Sequence, residues 1–334
     1  MIFSKKIKAA ALCAAAIMSF GLLAGCGSDK AADNSGDKQY KVGIVQLVEH
    51  NALDAANKGF VDGLKERGFE EGKNLVIDQQ NAQADQSNLQ NIGQRFVNDK
   101  VDLIYAIATP AAQTVANLTK DIPIVASAIT DYEGAKLIKS NNEPGGNLTG
   151  TSDMNPIKEQ IDLLLKIAPN AKTIGCIYTS SEANSEIQFK AMKEYAESKG
   201  LKVESATISN VNDIQQAAQS LEGKVDIFWE PTDNVIASAI PTLVSVTDAA
   251  KKPVICGEPN MVKNGGLATY GIDYYELGKQ SGHMAADILE GKSKPANMPI
   301  QFAKVLKAMF NKTDAAKLGI TLSDDLLKDA DVVE

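Results

Sequence analysis

The sequence predicts an α/β protein of two similar lobes, each a parallel sheet flanked by helices. Three observations support this prediction: short apolar runs alternate with helical periodicity from Lys41 onward, the pattern restarts near residue 172, and a segment rich in glycine and proline separates the halves. Strands that alternate with helices are typical of βαβ units and therefore of parallel sheets. The chain of 334 residues is long enough for two medium domains.

The first half contains predicted strands and helices in strict alternation. The strands are the apolar runs at 41–48, 74–79, 101–108 and 123–128, and the helices lie near 52–68, 86–99 and 110–119. In the first helix, apolar residues from Leu53 to Leu64 recur on one face, and Asn51 is the expected N-cap. These elements predict the first lobe.

The second half repeats this plan. Residues 172–178 (KTIGCIY) resemble 41–47 (KVGIVQL), and residues 224–227 resemble 100–103. Further strands are predicted at 253–257 and 266–272, and Asp273 and Glu276 form a predicted capping box at the start of a helix over 273–290. The segment 144–150 (PGGNLTG) is suited to a crossing between the halves.

The first 26 residues resemble a bacterial lipoprotein signal. Lysines at positions 5, 6 and 8 precede an uncharged run over 9–24, which is shorter than the ~20 residues that span a bilayer. The run ends in a sequence that resembles a lipobox (LAGC), whose last residue, Cys26, would be lipidated. We therefore predict a signal peptide over 1–25 and a lipidated tether over 26–39, with an ordinary signal peptide as the alternative.

Composition and motifs exclude several functional classes. The net charge of -8 disfavours nucleic acid and an anionic membrane surface as the main partner. The sequence has no HExxH, GxSxG, Walker or GxGxxG motif, and it has only two histidines, His50 and His283, of which His283 is expected on a solvated helix face. Cys176 and Cys256 lack metal-ligand spacing and are expected to be buried free thiols, with a disulfide as the alternative. We predict no enzyme activity, metal or cofactor, although a hydrolase that uses His50 and a serine at a strand end stays open.

Polar residues follow the predicted strands, and in parallel sheets the carboxyl ends of the strands are where ligands bind. The candidate ligand-binding residues of the first half are Glu49, His50, Thr109, Pro110, Ala111, Thr130 and Asp131. Those of the second half are Ser180, Ser181, Glu182, Asn184, Trp229, Asn234, Glu258 and Tyr270. Thr109 is the expected N-cap of a helix with Pro110 at N1, where free backbone N–H groups attract a carboxylate. Helix capping and core packing are the alternative roles of these residues.

Several motifs taken together resemble a known family, the ABC transporter substrate-binding lipoproteins, in the branch that includes tryptophan- and other aromatic amino acid-binding members. The resemblance covers roughly residues 40–320 and is carried by VEHNALD at 48–54, QNAQADQS at 80–87, AIATPAAQ at 106–113, PGGNLTG at 144–150, SSEANS at 180–185, PTDN at 231–234 and YGIDYYELG at 270–278. The chain departs from the family pattern at Asn51, where proline is usual, and near Cys256.

The resemblance implies a type I periplasmic-binding-protein (Venus flytrap) fold with interlobe crossings near residues 151, 270 and 295. Lobe 1 would comprise 40–150 and 271–294, and lobe 2 would comprise 151–270 and 295–334. The implied function is an extracytoplasmic, lipid-anchored protein of the cell membrane that binds a small solute, foremost tryptophan, tyrosine or phenylalanine, and delivers it to the permease subunits of an ABC importer. A sensory lipoprotein of the same fold, or a branched-chain or other small ligand, is the alternative.

The expected roles follow the chemistry of a free amino acid. Thr109, the Ala111 N–H and a hydroxyl of Ser180 or Ser181 would bind the α-carboxylate. One of three acids, Glu49, Asp131 and Glu258, would bind the ammonium group, because a buried cation needs an ionic partner. Trp229 and Tyr270 would line the side-chain pocket.

Overall fold

A computed structural model describes residues 38–304 and 306–334. The predicted signal peptide, Cys26 and most of the tether lie outside the described residues. Within the described ranges, no helix combines the length and the apolar character that a membrane crossing requires.

The described chain alternates strands and helices along most of its length. The strands are β1 (Tyr40–Gln46), β2 (Leu75–Asn81), β3 (Leu103–Ile107), β4 (Ile124–Ile129), β5 (Leu148–Ser152), β6 (Thr173–Thr179), β7 (Lys202–Ile208), β8 (Ile227–Glu230), β9 (Val254–Cys256), β10 (Ala268–Ile272), β11 (Gln301–Phe302), β12 (Leu306–Asn311) and β13 (Asp331–Val333). The helices are α1 (Asn51–Glu66), α2 (Gln86–Asn98), α3 (Thr109–Leu118), α4 (Ile157–Ile167), α5 (Ala183–Ser198), α6 (Ile214–Glu222), α7 (Asn234–Ser238), α8 (Ile240–Ala249), α9 (Pro259–Lys263), α10 (Tyr274–Leu289), α11 (Lys312–Leu318) and α12 (Asp324–Leu327).

These elements form two lobes, each built on one sheet. The first sheet has the order β11-β5-β4-β3-β1-β2 and is parallel throughout. The second has the order β13-β12-β10-β9-β8-β6-β7 and is parallel except where β12 pairs with β10. The predicted fold class is confirmed.

The repeat seen in the sequence is also present in the hydrogen bonds. In the first lobe the backbone N–H of Lys41 donates to the Asp102 carboxylate at 2.8 Å, and in the second lobe that of Lys172 donates to the Asp226 carboxylate at 2.8 Å. The Lys-Val-Asp segments at 100–102 and 224–226 therefore bind the start of β1 and of β6 through the same type of hydrogen bond.

Two predicted helix caps differ by one residue from the structure. His50, not Asn51, is the N-cap of α1, because its backbone is still extended (φ -162°, ψ 158°) whereas Asn51 is already helical. Ala108, not Thr109, is the N-cap of α3, with φ at 83°. The predicted cap at Asp273 is confirmed, since its carboxylate accepts from the N–H groups of Tyr275 and Glu276.

The chain crosses between the lobes slightly later than expected at each of the three places. β5 continues to Ser152 and β10 to Ile272. The third crossing follows β11 instead of lying near 295, because residues 295–302 stay on the first lobe: Ile300 N donates to Asn141 O, and β11 pairs with the edge of β5. Two exposed residues, Gln301 and Phe302, make up β11, so the sequence carries no strand signal there.

Helix α10 returns from the second lobe and packs closely on α1 through glycines. A Cβ atom on Gly278 would lie 1.9 Å from the carbonyl oxygen of Ala56, and one on Gly59 would lie 2.0 Å from that of Tyr275. Only residues without a side chain allow the two backbones this approach. The contact fixes α10 and the crossing before it on the first lobe.

Both cysteines of the described ranges are buried free thiols, as expected. Cys176 packs with Ile174 and Trp229 in one core cluster, and Cys256 packs with Val254 and Met261 in another. The alternative of a disulfide between them is therefore wrong.

Substitution of Gly278 by alanine tests the contact between α1 and α10. We expect Gly278→Ala to lower the free energy of unfolding by about 1–3 kcal/mol or more, because the new methyl group overlaps a backbone carbonyl. Denaturant unfolding measures the change. Gly223→Ala is the matched control, since open space surrounds that Cβ position, and we expect it to change stability by about 1 kcal/mol or less. Equal losses in the two variants would contradict this account.

Candidate functional site

The carboxyl ends of the two sheets face each other and are joined by hydrogen bonds. Thr130 Oγ1, after β4, lies 3.4 Å from Thr232 Oγ1, which follows β8. Gln188 Nε2 on α5 donates to Thr130 Oγ1 at 3.0 Å, and His50 Nε2 lies 3.2 Å from Asn234 Oδ1. The lobes are therefore closed on each other. We call the residues around these contacts, His50 and Thr130 of the first lobe and Gln188, Thr232 and Asn234 of the second, the polar region.

Several buried polar atoms in this region have no hydrogen-bond partner among the described residues. They are His50 Nδ1, Thr109 Oγ1, Asn184 Oδ1, and both Oδ1 and Nδ2 of Asn155, which lies in the first crossing. Buried polar groups in native proteins are almost always paired, so an unpaired group needs an explanation. A polar ligand enclosed between the lobes would supply the missing partners.

Thr109 lies at the start of α3 and is fully buried. The turn into this helix is made by Ala108, whose positive φ is a conformation that favours glycine. The first helical hydrogen bond runs from Ala112 N to Ala108 O, and among the described residues the N–H groups of Thr109 and Ala111 have no acceptor. Together with the unpaired Thr109 hydroxyl, these donors suit an anionic group such as a carboxylate.

Glu182 lies opposite, in the second lobe, and is 2% exposed. Its carboxylate accepts hydrogen bonds from the side-chain amides of Asn184 and Asn234 and from the backbone N–H groups of Asn234 and Val235. Burial, followed by the charge of Asp233, raises the pKa of Glu182, and the hydrogen bonds from Asn184 and Asn234 oppose this rise. An ionised Glu182 therefore requires these donors, and a nearby cation would stabilise it further.

His50 is neutral at physiological pH in this environment. Burial lowers its pKa to about 4, and the hydrogen bond with Asn234 offsets only part of that effect. One ring nitrogen therefore carries a proton and the other carries a lone pair.

Asp153 lies in the first crossing, directly after β5, and its hydrogen bond with Tyr274 joins it to the second crossing, which follows β10. Its carboxylate accepts from the Tyr274 hydroxyl at 2.7 Å and from Thr130 Oγ1 at 3.2 Å, and burial raises its pKa to about 6. Thr130 contacts Thr232 and Gln188 as well, so the base of the polar region is tied to the segments where the chain changes lobe.

Many of the predicted site residues meet at this region. They are His50, Thr130, Glu182, Asn184 and Asn234, and Thr109 and Ala111 lie at the start of α3, which follows the strand next to β1 at the same edge of the sheet. Glu49 is exposed, Pro110 is half-buried, and Asp131 accepts from Gly134 N within its own turn.

Other predicted residues lie elsewhere. Ser180 and Ser181 are exposed, and Ser180 Oγ donates to the carbonyl of Ile208, so the structure does not bring these hydroxyls to the polar region. Glu258 caps α9 by accepting from Asn260 N and Met261 N, and its buried carboxyl has a pKa raised to about 7.

Trp229 packs in a core cluster of the second lobe, which favours its alternative role of core packing over the predicted ligand pocket. It is fully buried in the second lobe, where its indole N–H donates to Gln160 Oε1 at 3.0 Å. The amide of Gln160 in turn donates to the carbonyl of Tyr270, a half-buried residue of β10. Because a tryptophan at a strand end can face the core or the cleft, its position in the sequence did not decide between them.

Sequence reasoning missed several residues of this region: Asp153, Asn155, Gln188, Thr232 and Asp233. Thr232 and Asp233 belong to the motif at 231–234, of which the sequence prediction includes Asn234 alone. Gln188 follows Asn184 by one helical turn, so a search for polar residues four apart could have found it. Asp153 and Asn155 lie on a crossing, where no periodicity marks the inner face.

The described residues contain no cluster of His, Cys, Asp or Glu side chains that could hold a metal ion. The chemistry of the region is therefore that of hydrogen-bond donors, acceptors and buried carboxyl groups.

Comparisons with known proteins agree with this geometry. Residues 41–334 match the family described as ABC transporter substrate binding protein. A protein of Clostridioides difficile named tyrosine-binding protein is 44% identical over 300 residues, which cover 88% of this chain and 86% of that protein.

Two solved structures are similar at the same level of identity, 42%. One is an ABC domain from Streptococcus pneumonia in complex with L-Trp, with a TM-score of 0.86, and the match covers 89% of this chain and 100% of that one. The other is the ligand-free, open structure of a substrate-binding protein with adhesive properties from Clostridium difficile, with a TM-score of 0.68 and coverage of 88% and 99%.

Removal of the Tyr274 hydroxyl tests the role of Asp153. Because its pKa is raised in the folded protein, Asp153 contributes stability that is present at acidic pH and is lost as the pH rises from about 4 through about 6. Tyr274→Phe removes a donor to the charged form, so we expect a loss of about 1–3 kcal/mol at pH 7.5 and a smaller loss at pH 5. Denaturant unfolding at the two pH values measures both.

Tyr275→Phe is the matched control for this prediction. Its hydroxyl also donates to a carboxylate, that of Asp62, but on the surface of the protein. We expect little change at either pH. A Tyr274→Phe penalty that does not depend on pH would contradict the role assigned to Asp153.

Proposed function

This chain belongs to the family of ABC transporter substrate-binding proteins, and we propose that it binds a free aromatic amino acid between its two lobes and delivers it to an ABC importer. The observation that carries the proposal is the set of unpartnered, buried polar atoms at the closed interface between the lobes. The name of the tyrosine-binding relative and the L-Trp complex of the similar structure support an aromatic side chain.

The arrangement of the lobes supports a ligand-bound conformation. At equal sequence identity, the chain agrees better with the structure that contains L-Trp than with the ligand-free, open one. The hydrogen bonds from Thr130 to Thr232 and from His50 to Asn234 form only when the lobes meet. We infer that the protein alternates between an open form that admits the ligand and this closed form.

The α-carboxylate of the ligand fits the start of α3. Thr109 offers its hydroxyl and its N–H, and Ala111 offers its N–H, so three donors face one anionic group. The helix dipole adds a positive partial charge at this end. The proposed role of Thr109 and Ala111 therefore agrees with the expectation from sequence, whereas the role of Ser180 or Ser181 is not retained.

The cellular setting follows from the family. Substrate-binding proteins of ABC transporters act on the extracytoplasmic side of the membrane and are generally not enzymes. We propose in addition that the chain is a lipoprotein anchored at Cys26 after removal of residues 1–25, because the sequence before this cysteine resembles a lipobox. Two or more acyl chains anchor a protein stably, whereas one chain does not.

A ligand screen tests the proposed function. After unfolding and refolding to remove carried-over ligand, the purified protein is titrated with L-tryptophan, L-tyrosine and L-phenylalanine, and with L-leucine, L-glutamate and glucose as comparison ligands. We expect an aromatic amino acid to raise the free energy of unfolding most, by about 2.7 kcal/mol at 100 times its Kd. Thermal unfolding detects the shift, and the absence of a shift with every aromatic amino acid would refute the proposal.

Thr109→Val tests the carboxylate site. The substitution keeps the side-chain shape and removes the hydroxyl, so we expect affinity for the aromatic amino acid to fall about 10- to 100-fold, as for a lost hydrogen bond to a charged group. Isothermal titration calorimetry measures the Kd. Thr207→Val, at an exposed position of β7, serves as the control and should bind as wild type does. Wild-type affinity in Thr109→Val would exclude a contact with the carboxylate.

Cys26→Ser tests the lipid anchor. In bacterial cells fed labelled palmitate, we expect the wild-type chain to be labelled and found in the membrane fraction, and Cys26→Ser to lose both properties. Cys13→Ser keeps the lipobox and should be labelled normally. Unlabelled wild type, or labelled Cys26→Ser, would contradict the anchor.

A further inference from the structure

We propose that Glu182 is a positioning residue that orients two asparagine side chains and the ring of His50, so that His50 Nδ1 and Asn184 Oδ1 accept hydrogen bonds from the ammonium group of the ligand. This inference rests on the proposed function and assigns the second charged group of the amino acid. In place of the acids expected from sequence, neutral acceptors contact the ammonium group, and the buried acid acts through them.

The partners of Asn184 fix the orientation of its side-chain amide. Its Nδ2 lies 2.9 Å from the Glu182 carboxylate and 3.1 Å from the carbonyl oxygen of Thr232. Both partners are acceptors, so the amide nitrogen must face them. The oxygen, Oδ1, therefore faces the other way, and it is buried with no partner among the described residues.

Asn234 in turn fixes which ring nitrogen of His50 carries the proton. The Nδ2 of Asn234 donates to Glu182, so its Oδ1 is the atom that faces His50, at 3.2 Å from Nε2. A carbonyl oxygen only accepts, and hence Nε2 must carry the ring proton. Since burial keeps the ring neutral, with a pKa of about 4, Nδ1 has a lone pair, and this atom too is buried without a partner in the described chain.

His50 and the start of α3 lie side by side at the edge of the first sheet. His50 follows β1 and Thr109 follows β3, and these strands are adjacent, with Gln46 paired to Ile107 at their ends. Neighbouring strands lie about 4.8 Å apart, so His50 and the start of α3 follow adjacent strand ends at the same edge of the sheet. We infer that the donors at the start of α3 bind the ligand carboxylate and that His50 Nδ1, at the start of α1, accepts from the ligand ammonium group.

The expected acids are less suitable partners for the ammonium group. Glu49 is exposed, Asp131 closes its own turn, and the Glu258 carboxylate is occupied as a helix cap. Glu182 accepts hydrogen bonds from the donors around it, an arrangement that suits the ionised form, and the ligand ammonium group favours that form further. Its charge lies one hydrogen bond from Asn184 and two from His50. These hydrogen bonds form a relay from Glu182 through Asn184 and Asn234 to His50. Through the relay Glu182 stabilises the ligand ammonium group without touching it.

The experiment compares ligands that differ only in the ammonium group. L-Tyrosine is paired with 3-(4-hydroxyphenyl)propionate, and L-tryptophan with 3-(indol-3-yl)propionate. In Glu182→Gln an amide N–H₂ replaces one acceptor, so a neighbouring amide must turn and present a donor to the ligand ammonium group. We expect the affinity for the amino acid to fall about 10- to 100-fold and that for its deamino analogue to change by about threefold or less.

A second variant covers the case in which Glu182→Gln does not fold. His50→Leu removes the acceptor from a residue whose side chain makes one hydrogen bond, to Asn234, and we expect the same selective loss. His283→Leu is its control, because His283 pairs with Glu66 at the opposite end of α1 from His50, and it should bind both ligands as wild type does. Calorimetry gives the Kd values of each pair.

The outcomes separate the two proposals. A loss confined to the amino acid supports the relay. Equal losses for the amino acid and its analogue, or no loss in either variant, overturn it while leaving the proposed function intact. If wild type binds none of these ligands, the proposed function itself is refuted.

Discussion

The polar region between the lobes is organised by one constraint, the need of the buried Glu182 carboxylate for hydrogen-bond donors. A charge removed from water is tolerated only where donors surround it. The donors that meet it come from α7 and from Asn184 and Asn234, so the start of α7 and two side chains are fixed by one group. Asn234 also hydrogen-bonds His50, so the side chain that Glu182 orients also contacts the first lobe. Removing the carboxylate would alter the polarity of the site more than its shape.

The rest of the fold places Glu182 and its partners between the lobes and joins the lobes by short crossings. Parallel sheets place all their strand ends on one edge, so His50, Thr109 and Thr130 of one lobe face Asn184, Thr232 and Asn234 of the other. The glycine contacts between α1 and α10 hold the returning helix on the first lobe, and Asp153 ties two crossings together through Tyr274. A rigid pair of lobes joined by a few bonded crossings is suited to hinge closure on a ligand.

The fold was predictable from sequence to a much greater extent than the site. Alternating apolar runs and the repeat of residues 41–47 at 172–178 predict the two lobes and eight strands (β1–β4, β6 and β8–β10), and predicted ends in the first half lie within two residues of the observed ones. They do not predict β5, β7, β12 or β13, and β5 begins inside the segment 144–150 that was expected to be a crossing. β11 was not predictable, since its pairing with β5 joins residues far apart in the chain. At the site, strand ends indicated His50, Thr109 and Asn234, but Trp229 and Ser180 follow strands too and face elsewhere, because position along a strand does not fix direction. Asn155 and Gln188 reach the site only through tertiary structure.

The protonation of His50 in the ligand-bound protein tests the central claim most directly. The chain has two histidines, so ¹⁵N NMR of labelled His283→Gln protein reports on His50 alone. With the aromatic amino acid bound at pH 7, the account predicts a neutral ring with the proton on Nε2 and a hydrogen-bonded, unprotonated Nδ1. A proton on Nδ1, or an imidazolium ring, would contradict it, because the site would then present a donor where the ammonium group requires an acceptor.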